Sequence, residues 1–123
     1  MDLRTGTDIV QVARVARLIE RRGFVERWFT PDEISYCSSR SQPALHYAAR
    51  LAAKEAVLKC LRWSWDGPIP WREIEVRHDA SGAPQIRLSG SLTAAERAPR
   101  PDLQVSLSHC QEYATAVAVA LWD

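Results

Sequence analysis

The chain has 123 residues, and 16 Lys and Arg against 15 Asp and Glu leave a net charge of +1. That near balance gives no global field for a nucleic acid or an anionic membrane, and the length predicts one domain whose core needs no covalent staples. Three cysteines (Cys37, Cys60, Cys110) cannot all pair and show no CxxC spacing, so they read as reduced thiols of a cytoplasmic protein. The opening segment lacks a charged-then-apolar leader pattern, and no apolar run nears the ~20 residues of a membrane span.

Leu3–Val10 sets β-branched residues around Gly6 and predicts a short strand carrying one acid, Asp8, at its end. An Asp is disfavoured inside a strand, so that end faces solvent unless the carboxylate is held there for a purpose. Gln11–Arg22 is amphipathic at helical period, with Val12, Val15, Leu18 and Ile19 on the apolar stripe and Gly23 in the C-cap place. Arg14, Arg17, Arg21 and Arg22 face outward against Glu20. They form either a solvated basic face or a docking surface for an acidic partner. Phe24–Thr30 reads as an aromatic connector. Thr30-Pro31-Asp32-Glu33 then spells a helix start, with Thr as N-cap, Pro at N1 and Glu closing a capping box.

Pro43–Leu61 runs without a Gly or an internal Pro and is dominated by alanine and leucine, which predicts the long helix that organises the rest. Glu55 and Lys59 lie one turn apart on it; taken alone, such a pair is a helix-stabilising contact of roughly a few tenths of a kcal/mol. Arg62–Trp71 contains two prolines and a glycine, so it is irregular. Its Trp63, Trp65 and Trp71 need cover from the core or from another subunit. Arg72–His78 and Gln85–Leu88 predict a hairpin across the turn at Asp79–Gly82, and Ser91–Arg97 one or two helical turns. Leu103–Ser108 alternates and ends at His109. Tyr113–Leu121 alternates too, with Ala114, Ala116, Ala118 and Ala120 on one face, a surface open to close approach by the alanine-rich helix. The fold class is α+β, a small antiparallel sheet packed on a long central helix.

Asp8 and Glu55 are carboxylates on separate elements, the minimal oxygen set for Mg²⁺, which keeps several waters and takes its remaining ligands from substrate phosphates. A lysine one turn from Glu55 and an imidazole from another element would meet the remaining charge of a diphosphate. That is an arrangement for phosphoryl transfer. No P-loop, GxGxxG or HExxH competes with it. A Ser106 or Ser108 nucleophile served by His109 is disfavoured, because neighbours along a strand point to opposite faces.

In order, GTDIV (Gly6–Val10), FxxRxFTxxE (Phe24–Glu33), RLAAKEAVLK (Arg50–Lys59), Gly82-Ala83-Pro84 and VSLSH (Val105–His109) resemble the holo-acyl-carrier-protein synthase type of 4′-phosphopantetheinyl transferase. The resemblance covers nearly the whole chain. It implies transfer of 4′-phosphopantetheine from coenzyme A to a serine of apo acyl carrier protein, releasing adenosine 3′,5′-bisphosphate. Asp8 and Glu55 would hold Mg²⁺, and Lys59 would neutralise the diphosphate. Arg50 and His109 would contact the nucleotide or its phosphates, and the Gly82–Pro84 turn would flank the adenine. Glu55 or a metal-bound water would take the serine proton. Arg14, Arg17 and Arg21 would dock the acidic carrier, and a homotrimer with sites between subunits would give the tryptophans somewhere to bury. Gln11, Arg62 and Cys110 depart from the family's usual acid, glycine and threonine. Two other readings stay open: a non-catalytic carrier-binding module, and a Mg²⁺-dependent hydrolase of a nucleotide diphosphate.

Overall fold

In the computed structural model, which describes residues 1–123, the chain runs through β1 (Asp2–Gln11), α1 (Val12–Leu18), α2 (Phe24–Trp28), α3 (Pro31–Ser38) and α4 (Pro43–Leu61). It continues through β2 (Ile74–His78), β3 (Pro84–Leu88), β4 (Asp102–His109) and β5 (Tyr113–Trp122), with single 3₁₀ turns at Trp71–Glu73, Gly90–Thr93 and Ala95–Arg97. The α+β expectation holds, with two antiparallel sheets: β1-β5-β4, with β5 in the middle, and the hairpin β2-β3.

The alanine face of β5 decides how the layers meet. Ala114, Ala116, Ala118 and Ala120 are all buried, and α4 answers with buried Ala48, Ala49, Ala52, Ala53 and Ala56. Two surfaces without bulk let backbone approach backbone. Gly6 of β1, paired with Ala118, lies on the same side. A Cβ there would overlap the Ala56 carbonyl oxygen and sit 2.9 Å from the Cys60 nitrogen. Ile74 and Val76 of β2 close the core from the other side, as their alternation predicts.

α3 starts as its sequence dictates. The Thr30 side chain accepts the Glu33 N–H, and Glu33 Oε1 accepts the Thr30 N–H. Glu33 does more than cap. Its Oε1 also takes the fully buried Lys54 ammonium at 2.8 Å, and Oε2 accepts the Val76 N–H at 3.1 Å. Lys54 Nζ donates its remaining bonds to the carbonyls of Trp71 (3.0 Å) and Ile74 (2.6 Å). All three ammonium donors are thereby satisfied, which a buried charge requires. The network locks α3, α4 and the hairpin together.

Three expectations are corrected. Asp8 does not end its strand: β1 continues to Gln11, and Asp8, paired with Ala116, lies on the helix-facing side, where Ala116 is buried. α1 stops at Leu18, so Gly23 does not cap it; with φ of 84° Gly23 instead precedes α2, which replaces the aromatic connector. Arg21 therefore lies beyond the helix, and only Arg14 and Arg17 stand on α1. Of the two kinds of cover open to the tryptophans, the core supplies part: Trp63, Trp65 and Trp71 pack against it and each stays partly exposed. Trp71 stacks on Trp28 at 4.1 Å, and the Arg97 guanidinium lies 5.0 Å from the Trp63 ring and 4.7 Å from that of Trp65.

Candidate active site

α4 carries functional groups on two sides. Nine residues separate Arg50 from Lys59, which at 3.6 residues per turn is roughly 180° around the axis. Glu55 and Lys59 turn toward β1, whereas Arg50 turns toward α3 and the hairpin.

On the β1 side, Lys59 Nζ bridges the Thr7 carbonyl (3.0 Å) and Asp8 Oδ1 (3.1 Å). Asp8 Oδ2 is buried with no hydrogen-bond partner. Burial pushes the Glu55 carboxyl up to about 8, and the facing Asp8 carboxylate pushes the same way, while Lys59 and Arg14 pull down. Two half-buried carboxylates facing each other resist carrying both charges at once, and Lys59, tied to Asp8, offsets only one of them. A divalent cation would relieve that repulsion, with Asp8 and Glu55 as the residues to hold it, and their all-oxygen donor set is the kind that Mg²⁺ takes. Beside Glu55 lies an apolar recess of about 130 Å³ whose lining includes Val10, Arg14, Leu18, Phe24, Trp28 and Leu51.

On the other side, a pocket of about 300 Å³ gathers Arg50, Gly82, Pro84 and His109, together with Tyr36, His46 and His78. Arg50 is 3% exposed. No carboxylate lies within ion-pair distance of it. Its guanidinium stacks 4.1 Å from the Tyr36 ring, Nη2 donates to His78 Nδ1 at 3.3 Å, and the buried Nε has no partner. A buried cation with no counter-ion is costly unless an anion completes it. The pocket is therefore built for one. Gly82, at φ of 88°, sits in the left-handed region that the turn between β2 and β3 needs.

The expected residues thus fall into two groups: Asp8, Glu55 and Lys59 on one side of α4, and Arg50, Gly82, Pro84 and His109 on the other. Tyr36, His46 and His78 escaped the sequence reading. No local pattern marks them, since three separate elements bring them to the pocket. Arg14 lines the recess beside Glu55; Arg17 and Arg21 are exposed and farther along the chain.

Residues 4–118 match the family model of the 4′-phosphopantetheinyl transferase superfamily. The chain belongs to that family. Within the phosphopantetheinyl transferases it is 43% identical, over 97% of its length and 98% of the relative's, to a holo-[acyl-carrier-protein] synthase of Protochlamydia amoebophila. Among solved structures it resembles a Chronobacterium ammoniagenes ACPS–CoA complex, with a TM-score of 0.90 at 29% identity over 100% of this chain and 99% of that one. An acyl carrier protein synthase of Mycobacterium tuberculosis gives a TM-score of 0.74 at 36% identity, with 96% of each chain covered.

Proposed function

We propose that the chain is a holo-[acyl-carrier-protein] synthase, moving 4′-phosphopantetheine from coenzyme A to a serine of apo acyl carrier protein. The division of α4 into a carboxylate–lysine side and an anion pocket carries this reading, because coenzyme A joins a diphosphate to a phosphorylated nucleoside. Relatives bearing this name support it, as do structures described as complexes with coenzyme A.

Asp8 and Glu55 would hold Mg²⁺, which supplies charge neutralisation at the diphosphate and a template for its oxygens. Lys59, 57% exposed and tied only to Asp8 and the Thr7 carbonyl, is free to swing onto a phosphate oxygen and stabilise the departing bisphosphate. Arg50 and His109 would receive the nucleotide's phosphate, with Gly82 and Pro84 beside the adenine. The serine Oγ forms its bond to the pantetheine phosphorus as the diphosphate P–O bond breaks. The serine proton passes to Glu55 or to water. Arg14, Arg17 and Arg21 offer positive charge to an acidic carrier, and the recess beside Glu55 is where its serine would enter.

The two groups lie on opposite sides of α4, so on this reading one coenzyme A would draw them from two chains. A homotrimer in which one subunit supplies Asp8, Glu55 and Lys59 and its neighbour supplies the Arg50 pocket would provide this. The outer face of the β1-β5-β4 sheet offers the surface for it, with Leu3 (61%), Ile9 (62%), Tyr113 (43%) and Val117 (46%) exposed. The three cysteines are unpaired, which suits the reducing cytoplasm. No helix is long and apolar enough to cross a membrane.

Incubation with coenzyme A, Mg²⁺ and an apo acyl carrier protein, followed by the intact mass of the carrier, tests the reading. A gain of one 4′-phosphopantetheine on the serine is expected. Release of the bisphosphate with the carrier unchanged would make the protein a hydrolase, and untouched coenzyme A a binding module.

A further inference from the structure

We infer that His78, with His46 beside it, takes up a proton as the pocket binds a phosphomonoester, so that the pocket selects the 3′-phosphate end of coenzyme A. The inference rests on the transfer reading above and deepens it.

Arg50 is permanently cationic and has only hydrogens to give, so its Nη2 must donate to His78 Nδ1. His78 Nδ1 therefore carries no hydrogen, and Nε2 holds that of a neutral ring. The surroundings enforce that state. Burial holds His78 below its ordinary value, and Arg50 and Arg40 add to this, against a weaker pull from Asp79. His46 is held down by burial, Arg50, Arg40, His109 and His78. Tyr36 stacks on His78 at 5.1 Å, and Asp32 and Glu75 line the cleft on the far side of Arg50 and His78. Arg50, with no carboxylate in ion-pair reach, thus gives a hydrogen bond to an imidazole nitrogen, a weaker acceptor than an anion's oxygen.

A phosphomonoester near pH 7 carries about −1.5 to −2 charge. Its oxygen is a better acceptor for Arg50 than an imidazole nitrogen, and it reverses the field that keeps both rings neutral. Arg50 then turns its donor to the phosphate. The released His78 Nδ1 accepts a proton from solvent, and the imidazolium donates to a second phosphate oxygen. The diphosphate of coenzyme A does not call for this exchange. Each of its phosphorus centres is already esterified, carries one charge, and belongs with Lys59 on the other side of α4.

Calorimetric titration of the full protein at pH 7.5, in two buffers of different ionisation enthalpy, counts the protons. With coenzyme A, wild type should take up close to one proton per site, and affinity should fall by up to about tenfold per unit as pH rises from 7 to 8. With 3′-dephospho-coenzyme A, uptake should vanish. His78→Asn keeps an acceptor for Arg50 but cannot bind a proton, so it should lose most of the uptake and flatten the pH dependence; adding His46→Asn should remove the rest. Equal uptake for both ligands, or full uptake in the double variant, overturns the inference and leaves the transfer reading to the carrier mass. A protein that binds neither ligand and leaves the carrier unmodified loses that reading, and this inference with it.

Discussion

Gly6 on β1 and Ala56 on α4 touch backbone to backbone: a Cβ on Gly6 would overlap the Ala56 carbonyl oxygen. Asp8 lies two residues along the same face of β1, and Glu55 immediately precedes Ala56. The contact therefore sets how far apart the two carboxylates stand. Gly6→Ala must push strand from helix, costing about 1–3 kcal/mol as overpacking does. A melt should show the lower Tm, and turnover should fall more than stability alone explains. A neutral melt with full activity would mean that β1 shifts freely.

Asp8→Asn and Glu55→Gln separate chemistry from folding. Each should lower kcat by about 10²–10³-fold, the scale for losing one electrostatic partner of a transition state. Neither should lower Tm in EDTA, because the metal-free protein sets these two carboxylates against each other. Near-normal turnover of either variant in excess EDTA would remove the metal from the mechanism.

Much of this arrangement is legible before folding. The Thr30–Glu33 capping box needs only four residues, and the alanines of β5 announce a close neighbour. Asp8, Glu55 and Lys59 could be singled out only jointly, through the order of motifs around them, because a Glu–Lys pair one turn apart is by itself an ordinary helix-stabilising contact. Glu33 shows where legibility ends. Its second oxygen binds the Val76 N–H, 43 residues further on, and its first takes Lys54. A lysine amid alanines hints at burial, but its partner depends on where the hairpin arrives. The extent of α1 is illegible for a similar reason: Leu18 and Ile19 continue the apolar period, yet the chain must turn to bring Phe24 and Trp28 onto the core. The loop tryptophans pack on the core partly through Trp28 and Arg97, which no local pattern links to them.

Arg62 ends α4 in the left-handed conformation, at φ of 56° and ψ of 27°. A glycine would sit there without strain. A left-handed non-glycine residue costs about 1–2 kcal/mol, and glycine's extra freedom in the unfolded chain costs about 0.5–1. Arg62→Gly should therefore stabilise the fold by roughly 0.5–1 kcal/mol, seen as a raised urea midpoint with unchanged m-value. A lowered midpoint would show that the arginine side chain holds the C-terminus of α4.

Val117 stands in the middle strand, across from Thr7 on β1 and Ser106 on β4, and is 46% exposed. If this face joins subunits, Val117→Lys should dissociate them at little cost to the protomer. Light scattering should give three times the 13.9 kDa chain mass for wild type and a single chain for the variant. Turnover should vanish with the assembly, since the Arg50 pocket and the Asp8 carboxylate would no longer meet. A wild-type monomer with full activity would place both halves of the site in one chain and end the trimer proposal.

Arg17 and Arg21 test carrier docking more cleanly than Arg14. Arg14 lines the recess beside Glu55 and lowers that carboxyl's proton affinity, so replacing it disturbs chemistry as well as encounter. Arg17 and Arg21 are exposed and touch neither half of the candidate site. In docking, their contribution would be complementary charge, which raises encounter rates and is screened over about 8 Å at 0.15 M salt. Arg17→Glu with Arg21→Glu should raise the KM for carrier about tenfold or more at low salt, leave the KM for coenzyme A unchanged, and lose much of that contrast as salt is added. Equal losses toward both substrates would assign these arginines to the fold, and no loss at all would return them to the solvated surface.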